Sequence, residues 1–312
     1  MSAYFGYHMP TFTFPGVGSD GLFARVLELA RAAEAAGFDL VTVMDHFYQI
    51  GNVGPPEEPM LEAYTTLGAL AASTSRVELG TLVSGVTYRN PALLAKMVTT
   101  LDVVSQGRAV LGIGAAWNAE EHDGYGFDFP PIGRRMDRLD EALRIATAML
   151  AGERLTFEGR YYRTNAALNS PPPVRSGGPR ILIGGTGEKR TLRLVARYAD
   201  ACHWFGSLDQ VQRKLEVLEE HCAVVGRDSA EILKLVEAPF ILARDHAAAE
   251  RVRAGLPEGS PRASAPAVGV DGAAETLSRY LRAGFGGFTF SNVVLRDPEA
   301  IALAGELKRV LG

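Results

Sequence analysis

The stretch PRILIGGTGEKRTLRLVARYAD, residues 179–200, decides how the rest of the chain is read. Ile181, Leu182 and Ile183 form an apolar run of the length of a buried strand. Gly184, Gly185 and Gly187 follow at once, and Leu192, Val195 and Ala196 then share one face of a helix. A strand that passes through glycines into a helix start can aim several backbone N–H groups at one anion, helped by the helix dipole. Glycine suits that place because it takes φ > 0 and lets a phosphate come close. The same pattern also describes an ordinary strand-to-helix turn. No Lys-Ser or Lys-Thr follows the last glycine at P-loop spacing, which argues against a nucleoside triphosphatase.

Working outward toward the N-terminus, the strand-then-helix unit repeats. Strands are expected at Ala3 to Met9, Leu40 to Met44, Val77 to Val83 and Ala109 to Ile113. The helices between them keep a 3.6-residue apolar period, for example Leu22, Val26, Leu29, Ala30 and Ala33, and one starts at Pro91. Toward the C-terminus, strands are expected at Asp200 to Trp204, Leu233 to Leu242 and Gly287 to Phe290, with helices at Asp209 to Val225, Gly272 to Ala283 and Pro298 to Leu311. With Ile181 to Ile183 this makes eight strands, each continuous in apolar residues as strands buried on both faces are. Eight parallel strands can close and leave no edge, so the expected fold is α/β, a (β/α)8 TIM barrel of one domain, residues 1–312. A doubly wound open sheet is the other topology that fits. The stretch from about 114 to 179 is too long for a plain connection and reads as an insertion between the fourth and fifth strands, with a helix over 133–151 and a hairpin at Phe157 to Tyr162. Residues of about 244–267, loosest from Gly255 to Pro266, are rich in Gly, Pro, Ser and Ala and read as a mobile loop.

Bulk composition agrees with a packed core: 47% of residues are hydrophobic and 22% charged. A net charge of −4 lacks the basic face that nucleic acid or a membrane surface would require. No apolar run reaches transmembrane length, and Met1 to Pro10 has no signal pattern, so the expected location is cytoplasmic. Two cysteines, Cys202 and Cys222, exclude a disulfide framework and show no metal spacing.

In a barrel, chemistry gathers at the C-terminal ends of the strands. Those ends carry His8-Met9, Asp45-His46, Val83-Ser84, Gly114 to Asn118, Gly184 to Gly187, His203-Trp204 and Ser291-Asn292. Asp45-His46 is either a proton-transfer site or a strand-end histidine that satisfies backbone groups. His203-Trp204 reads as packed wall, and His8 is weaker still as a candidate. Asn118 with Glu121 three residues on has the offset of a helix cap, and Glu120, Glu121, His122 and Asp123 read as dipole and solvation chemistry at a surface loop rather than a metal site. Arg134, Arg135 and Arg138 read as a solvated helix face. No His-Glu-x-x-His, no Gly-x-Ser-x-Gly and no paired strand-end carboxylates occur, so a phosphate cradle with few acid–base groups points to a cofactor that carries the reaction.

The chain resembles the luciferase-like superfamily of flavin and deazaflavin oxidoreductases, and within it the branch that uses coenzyme F420. The resemblance covers nearly the whole chain. It rests on Asp45-His46, on Leu79-Gly80-Thr81-Leu82-Val83, on Tyr88-Arg89-Asn90-Pro91 to Lys96, on Gly107-Arg108 through Leu111-Gly112-Ile113-Gly114 to Trp117-Asn118, on Phe157 to Tyr162, and on Ile181 to Gly187. It implies that Gly184, Gly185, Thr186 and Gly187 hold the phosphate of F420, or of FMN as the alternative. It places Asp45 and His46 beside the ring, with His46 as the catalytic residue. Leu82, Val83 and Ser84 would press on the ring's other face through a non-proline cis peptide at Leu82–Val83, and Asn118 would bond the ring's polar edge. The implied activity is hydride transfer between F420 and a small organic substrate, reduction being the expected direction because residues for alcohol oxidation are missing. An FMN-dependent monooxygenase and a non-catalytic F420 or flavin carrier are the alternatives. A homodimer is also implied, while the residue spacings noted above leave no metal expected. Ala115-Ala116 and Phe47-Tyr48-Gln49-Ile50 depart from the acidic residue and the tryptophan of the family's sugar-phosphate dehydrogenases.

Overall fold

A computed structural model describes residues 2–256 and 260–312. In chain order the strands are β1 (Tyr4–Met9), β2 (Leu40–Val43), β3 (Glu78–Thr81), the two-residue β4 (Ser84–Gly85), β5 (Ala109–Gly114), β6 (Leu155–Glu158), β7 (Arg163–Ala167), β8 (Arg180–Gly184), β9 (Ala201–Trp204), β10 (Leu233–Glu237), β11 (Ile241–Leu242), β12 (Ala267–Val268) and β13 (Gly287–Ser291). The helices are α1 (Ser19–Ala35), α2 (Ala63–Ala71), α3 (Pro91–Ser105), α4 (Ala119–Tyr125), α5 (Ile132–Leu150), α6 (Thr191–Tyr198), α7 (Leu208–Val225), α8 (His246–Ala254), α9 (Val270–Ala283) and α10 (Pro298–Val310). Eight strands pair in the order β3-β2-β1-β13-β10-β9-β8-β5, and β3 also pairs with β5, so the parallel sheet closes on itself. This is the expected (β/α)8 TIM barrel.

Alternation along each strand sorts the side chains into two cores. Outward residues such as Phe5, Tyr7, Val41, Val43, Leu111 and Ile183 pack under the helices. Inward residues Leu40, Val110, Leu182, Ala201 and Leu235 fill the barrel itself, with Tyr4, Leu82, Val83 and Leu233 against them. The same alternation, carried across the paired strands, puts His8, Thr42, Gly112, Gly114, Gly184, His203, Glu237 and Thr289 on the inward face at or near the C-terminal end. Where the barrel narrows, two backbones touch: a Cβ on Gly112 would lie 1.8 Å from the Thr81 carbonyl oxygen.

The helices end where local chemistry dictates. Asn90 accepts from the Ala92 N–H at 2.9 Å and Pro91 opens α3. Ser207 and Gln210 form a capping box on α7, and Gly226 closes it with φ +73°.

Three boundaries differ from expectation. The strand expected over 233–242 stops at Glu237, and Ile241–Leu242 pairs instead with β12 in a separate two-stranded sheet. The segment 244–267, expected to be loop, contains α8, a 3-10 turn at Pro261–Ser264 and the start of β12; its residues 257–259 lie outside the described residues. Between β5 and β8 there are two helices, α4 and α5, rather than one, followed by the expected hairpin β6–β7. Among the described residues no helix is long and apolar enough to cross a membrane.

Candidate active site

Asp45 and His46 follow β2 at the barrel mouth. Asp45 is 1% exposed and takes a bidentate pair from Arg89, with Nη1 to Oδ2 at 2.5 Å and Nη2 to Oδ1 at 3.0 Å. Arg89 also reaches Glu62 at 2.7 Å and lies over the Tyr64 ring at 4.9 Å. Burial alone would lower the Arg89 pKa, but Asp45 and Glu62 hold it above its ordinary value. The His46 Nδ1 lies 2.6 Å from Glu121 Oε1. Glu121 is fully buried and also accepts from the Phe47 N–H at 2.7 Å and the Tyr88 hydroxyl at 2.5 Å. Burial works to raise this carboxyl; the hydrogen bonds from His46, Tyr88 and Phe47 outweigh it and keep the group below the usual range. An ionised acceptor on Nδ1 makes that nitrogen the donor and turns the His46 Nε2 to the mouth. Trp117, 60% exposed, stands edge-on to His46 at 5.6 Å.

Glu121 overturns the reading of Glu120 to Asp123 as a surface loop. Glu121 and His122 are both buried, with His122 between the Asn118 carbonyl at 2.5 Å and Thr87 Oγ1 at 2.6 Å. The offset of three from Asn118 had a capping reading, yet Asn118 makes no side-chain cap bond and Glu121 turns inward to His46. Arg135 likewise is no solvated residue: it is 8% exposed, donates to the Ala116 carbonyl at 2.5 Å and lies over the Phe129 ring at 4.1 Å. Arg138 pairs with Asp128 at 2.5 Å.

On the neighbouring strand, β3 leads into Leu82–Val83, whose peptide bond is cis. Val83 rests in a notch made by absent side chains: a Cβ on either Gly114 or Gly184 would come within 2.9 Å of its Cγ2. Ser84, fully buried, is held by Thr81 Oγ1 at 3.0 Å and the Tyr64 hydroxyl at 3.1 Å, so it braces the turn from below. Gly184 ends β8, and Gly185, Thr186 and Gly187 are exposed, Gly185 with φ +121°. The N–H groups of these last three have no hydrogen-bond partner among the described residues. A Cβ on Gly187 would meet Thr191 Oγ1 at 2.9 Å. Lys214 reaches the Thr186 carbonyl at 3.4 Å and adds positive charge. Free amides, a helix start and a lysine fit a phosphate.

The remaining part of the mouth is polar. His203 Nε2 lies 2.7 Å from Thr289 Oγ1, and Thr289 donates to Glu237 Oε2 at 2.7 Å. Glu237 is ion-paired with Arg262, and His8 Nδ1 lies 2.9 Å from Thr42 Oγ1. Burial pushes His8 down to about 3 and His203 down to about 4, so both rings are neutral at pH 7. Burial would raise Glu237, but Arg262 leads the charges that hold it low. Glu237 and Thr289 were missed in the sequence, where only their inward register on β10 and β13 could have singled them out. Among the described residues no group of three or more His, Cys, Asp or Glu is placed to hold a metal ion.

Comparison with known proteins matches this geometry to a family. The family model described as luciferase-like monooxygenase matches residues 4–302. A Microbacterium testaceum protein named F420-dependent glucose-6-phosphate dehydrogenase is 32% identical over 71% of this chain and 65% of its own length. Two solved structures share the fold: the F420-dependent tetrahydromethanopterin reductase of Methanopyrus kandleri, with a TM-score of 0.79 at 18% identity over 98% of both chains, and the EDTA monooxygenase of a Chelativorans species, with a TM-score of 0.82 at 15% identity over 100% of this chain and 94% of that one. A match of this extent settles membership: the chain belongs to the luciferase-like monooxygenase family.

Proposed function

We propose that this chain is an oxidoreductase that moves a hydride between coenzyme F420 and a small organic substrate. The observation that carries the reading is the pairing of free amides at Gly185 to Gly187 with a braced Val83 and a carboxylate-held His46 across one barrel mouth. The relative named F420-dependent supports F420 over FMN as the group that fits. Gly184, Gly185, Thr186 and Gly187 would take its phosphate, Leu82, Val83 and Ser84 would back one face of its ring, and Asp45, His46 and Asn118 would lie at its other borders. The bound deazaflavin supplies a ring carbon that accepts or gives a hydride.

The protein's own part is orientation and charge. Arg89 locks Asp45, and Glu121 locks His46 in one tautomer, so the ring meets a fixed surface with no reorganisation needed. His46, as the proposed catalytic residue, can exchange a proton at Nε2 while Glu121 balances its charge. Sugar-phosphate oxidation is not part of this proposal, because Ala115-Ala116 and Phe47 to Ile50 stand where the sugar-phosphate enzymes differ. Reduction of the substrate is the proposed direction, as expected from the sequence.

A fluorescence titration of the purified protein with F420 and with FMN tests the reading. Saturable F420 binding that is weakened by Gly185→Val or Gly187→Val is the expected result. Binding of FMN alone, with oxygen consumed in the presence of reduced FMN, would overturn it in favour of a monooxygenase.

A further inference from the structure

Trp117 is an exposed ring at the barrel mouth, and the chain holds it there at a cost. It follows the end of β5 by three residues and is 60% exposed. Ala116, directly before it, has φ +61°, in the left-handed region that a residue with a Cβ adopts only at a cost in free energy. That conformation is clamped from behind. Arg135, near the start of α5 and 8% exposed, donates from Nη1 to the Ala116 carbonyl at 2.5 Å and to the Ala115 carbonyl at 3.4 Å. Its guanidinium lies over the Phe129 ring at 4.1 Å, and its Nε is buried with no partner. Taking a guanidinium out of water for two backbone carbonyls and one ring is a second cost. Both fall on the peptide that aims Trp117. Neither is needed to close the barrel, since the strand pairs of β5 end at Gly114.

The surroundings say what such a ring can bind. Trp117 stands edge-on to His46 at 5.6 Å, so it borders the place where a reacting molecule would meet the proposed catalytic residue. The residues after His46 add to the aromatic surface. Phe47 packs on Tyr125 at 4.7 Å and Tyr48 packs on it at 5.6 Å, and Tyr125 is itself 53% exposed. Charge narrows the class further. Asp45 is paired with Arg89, Glu121 takes His46, the Tyr88 hydroxyl and the Phe47 N–H, and Arg135 is turned to carbonyls. None of these groups is left to neutralise an ionic substrate. A tryptophan face is a large π surface that favours an offset-stacked or edge-on aromatic partner.

We propose that Trp117 is a stacking platform for the substrate, a flat, uncharged, conjugated ring system, and that Arg135 is the positioning residue that holds the platform through the Ala116 carbonyl. This rests on the reading above and deepens it by naming the substrate class of the same site. The substrate ring lies against the indole face with one edge toward His46. A saturated molecule of the same size fills the same space but gains nothing from a π face, so Trp117 selects by flatness and aromatic character as well as by size. The Arg135 clamp keeps the indole from swinging away, so less ordering is left to be done when the ring binds.

The test uses the full chain and a matched pair of probes, 2-naphthol and 2-decalol. The two share a two-ring skeleton and one hydroxyl, and only the first is flat and aromatic. Equilibrium dialysis against the cofactor-free protein should give saturable 2-naphthol binding, about threefold to tenfold tighter than that of 2-decalol. The chain has two tryptophans, and Trp204 is fully buried. In a spectrum of 15N-labelled indoles, 2-naphthol should therefore move the Trp117 resonance and leave that of Trp204 in place. Trp117→Leu keeps an apolar side chain without a π face, so it should bind the two probes equally, with F420 affinity in the fluorescence titration unchanged. Arg135→Met should narrow the Trp117 resonance and reduce the preference for 2-naphthol, and Arg135→Lys, which can still donate to the Ala116 carbonyl, should restore both. Equal binding of the probes by the wild type, an unmoved Trp117 resonance, or a preference that survives Trp117→Leu would each overturn the proposal. So would a loss of F420 affinity in Trp117→Leu as large as that in Gly187→Val, which would make the indole part of the cofactor site. An Arg135→Met protein with the wild-type Trp117 line width and preference would overturn the positioning role of Arg135. Wild-type protein that fails to bind F420 sinks the cofactor reading instead, and the cofactor-free arms still decide the aromatic site.

Discussion

Single side chains at the barrel mouth set how the protein responds to acid. His8 and His203 titrate near 3 and near 4 in the folded chain because burial disfavours the charged ring. In the unfolded chain both return to about 6.5. Between those limits the unfolded state binds more protons than the folded one, so stability falls as pH drops from about 6.5 and the loss continues down to the folded pKa values. The slope is at most about 1.4 kcal/mol per pH unit for each ring. Urea melts should therefore show a lower midpoint at pH 5 than at pH 7, and His203→Asn should shrink the difference. Equal midpoints at the two pH values would show that the rings are not held neutral. Glu121 has the same sense in a more acidic window: its low carboxyl contributes stability that is lost as pH falls through and below the ordinary carboxylate range. Glu121→Gln tests its positioning role, because an amide cannot accept from His46, Tyr88 and Phe47 as a carboxylate does. The expected outcome is a fall in hydride-transfer rate of about tenfold or more, a moved His46 resonance in the 15N spectrum, and retained fold by circular dichroism. A variant with the wild-type rate and the His46 resonance in place would remove Glu121 from the site.

Elements matter here chiefly through the spaces between strands. β3 and β5 come so close that a methyl on Gly112 would overlap the Thr81 carbonyl, which is backbone and cannot turn aside. Gly112→Ala should destabilise the fold by more than about 3 kcal/mol, or prevent folding, as overpacking at a rigid contact does. Gly184→Ala meets only the Val83 side chain, so it should fold and instead displace Val83, with weaker F420 binding as the readout. Wild-type stability in Gly112→Ala would mean that β3 and β5 are not in register as described. These strands were legible beforehand because each is a short, unbroken apolar run followed by a helical period, and closure follows from their number. The interior of the mouth was harder to read. His8, His203 and Glu237 lie on inward positions of strands only four to six residues long, so two or three alternations at most mark the register. β10 also appeared to run on to Leu242, which hid Glu237 in mid-strand. Glu121 gave no usable signal, since its partner His46 is 75 residues away and the offset from Asn118 already had a capping explanation. α8 was lost in a Gly/Ala/Pro-rich stretch even though Asp245 caps it through the Ala248 N–H at 2.7 Å.

Across the whole molecule the two ends of the barrel do different work, and each is closed by a buried carboxylate. At the C-terminal end Glu237 accepts from Thr289, which in turn lies beside His203 Nε2. At the N-terminal end Glu78, inward on β3, has its acceptors filled: the Tyr4 hydroxyl and Arg180 Nη1, the latter at 3.2 Å, share Oε2, and Arg175 Nη2 lies 2.5 Å from Oε1. Those partners come from β1, from β8 and from the segment before it, so this one group ties together parts of the chain about 100 residues apart. Burial, then Glu78 itself, raises the Tyr4 pKa, so the phenol stays a donor throughout the working range. Function in a barrel gathers at the C-terminal face, so a carboxylate with satisfied partners at the bottom is a stability device. Glu78→Ala should therefore lower the unfolding free energy by about 1–3 kcal/mol, the modest size reflecting that Arg180 is half open to water. The same variant should leave F420 affinity, the His46 resonance and the hydride-transfer rate per folded molecule unchanged. Urea melts alongside the fluorescence titration and the 15N histidine spectrum measure both sides of that statement. A Glu78→Ala protein with wild-type stability, or one whose F420 affinity falls as far as that of Gly187→Val, would show that the two ends of this barrel are not separable.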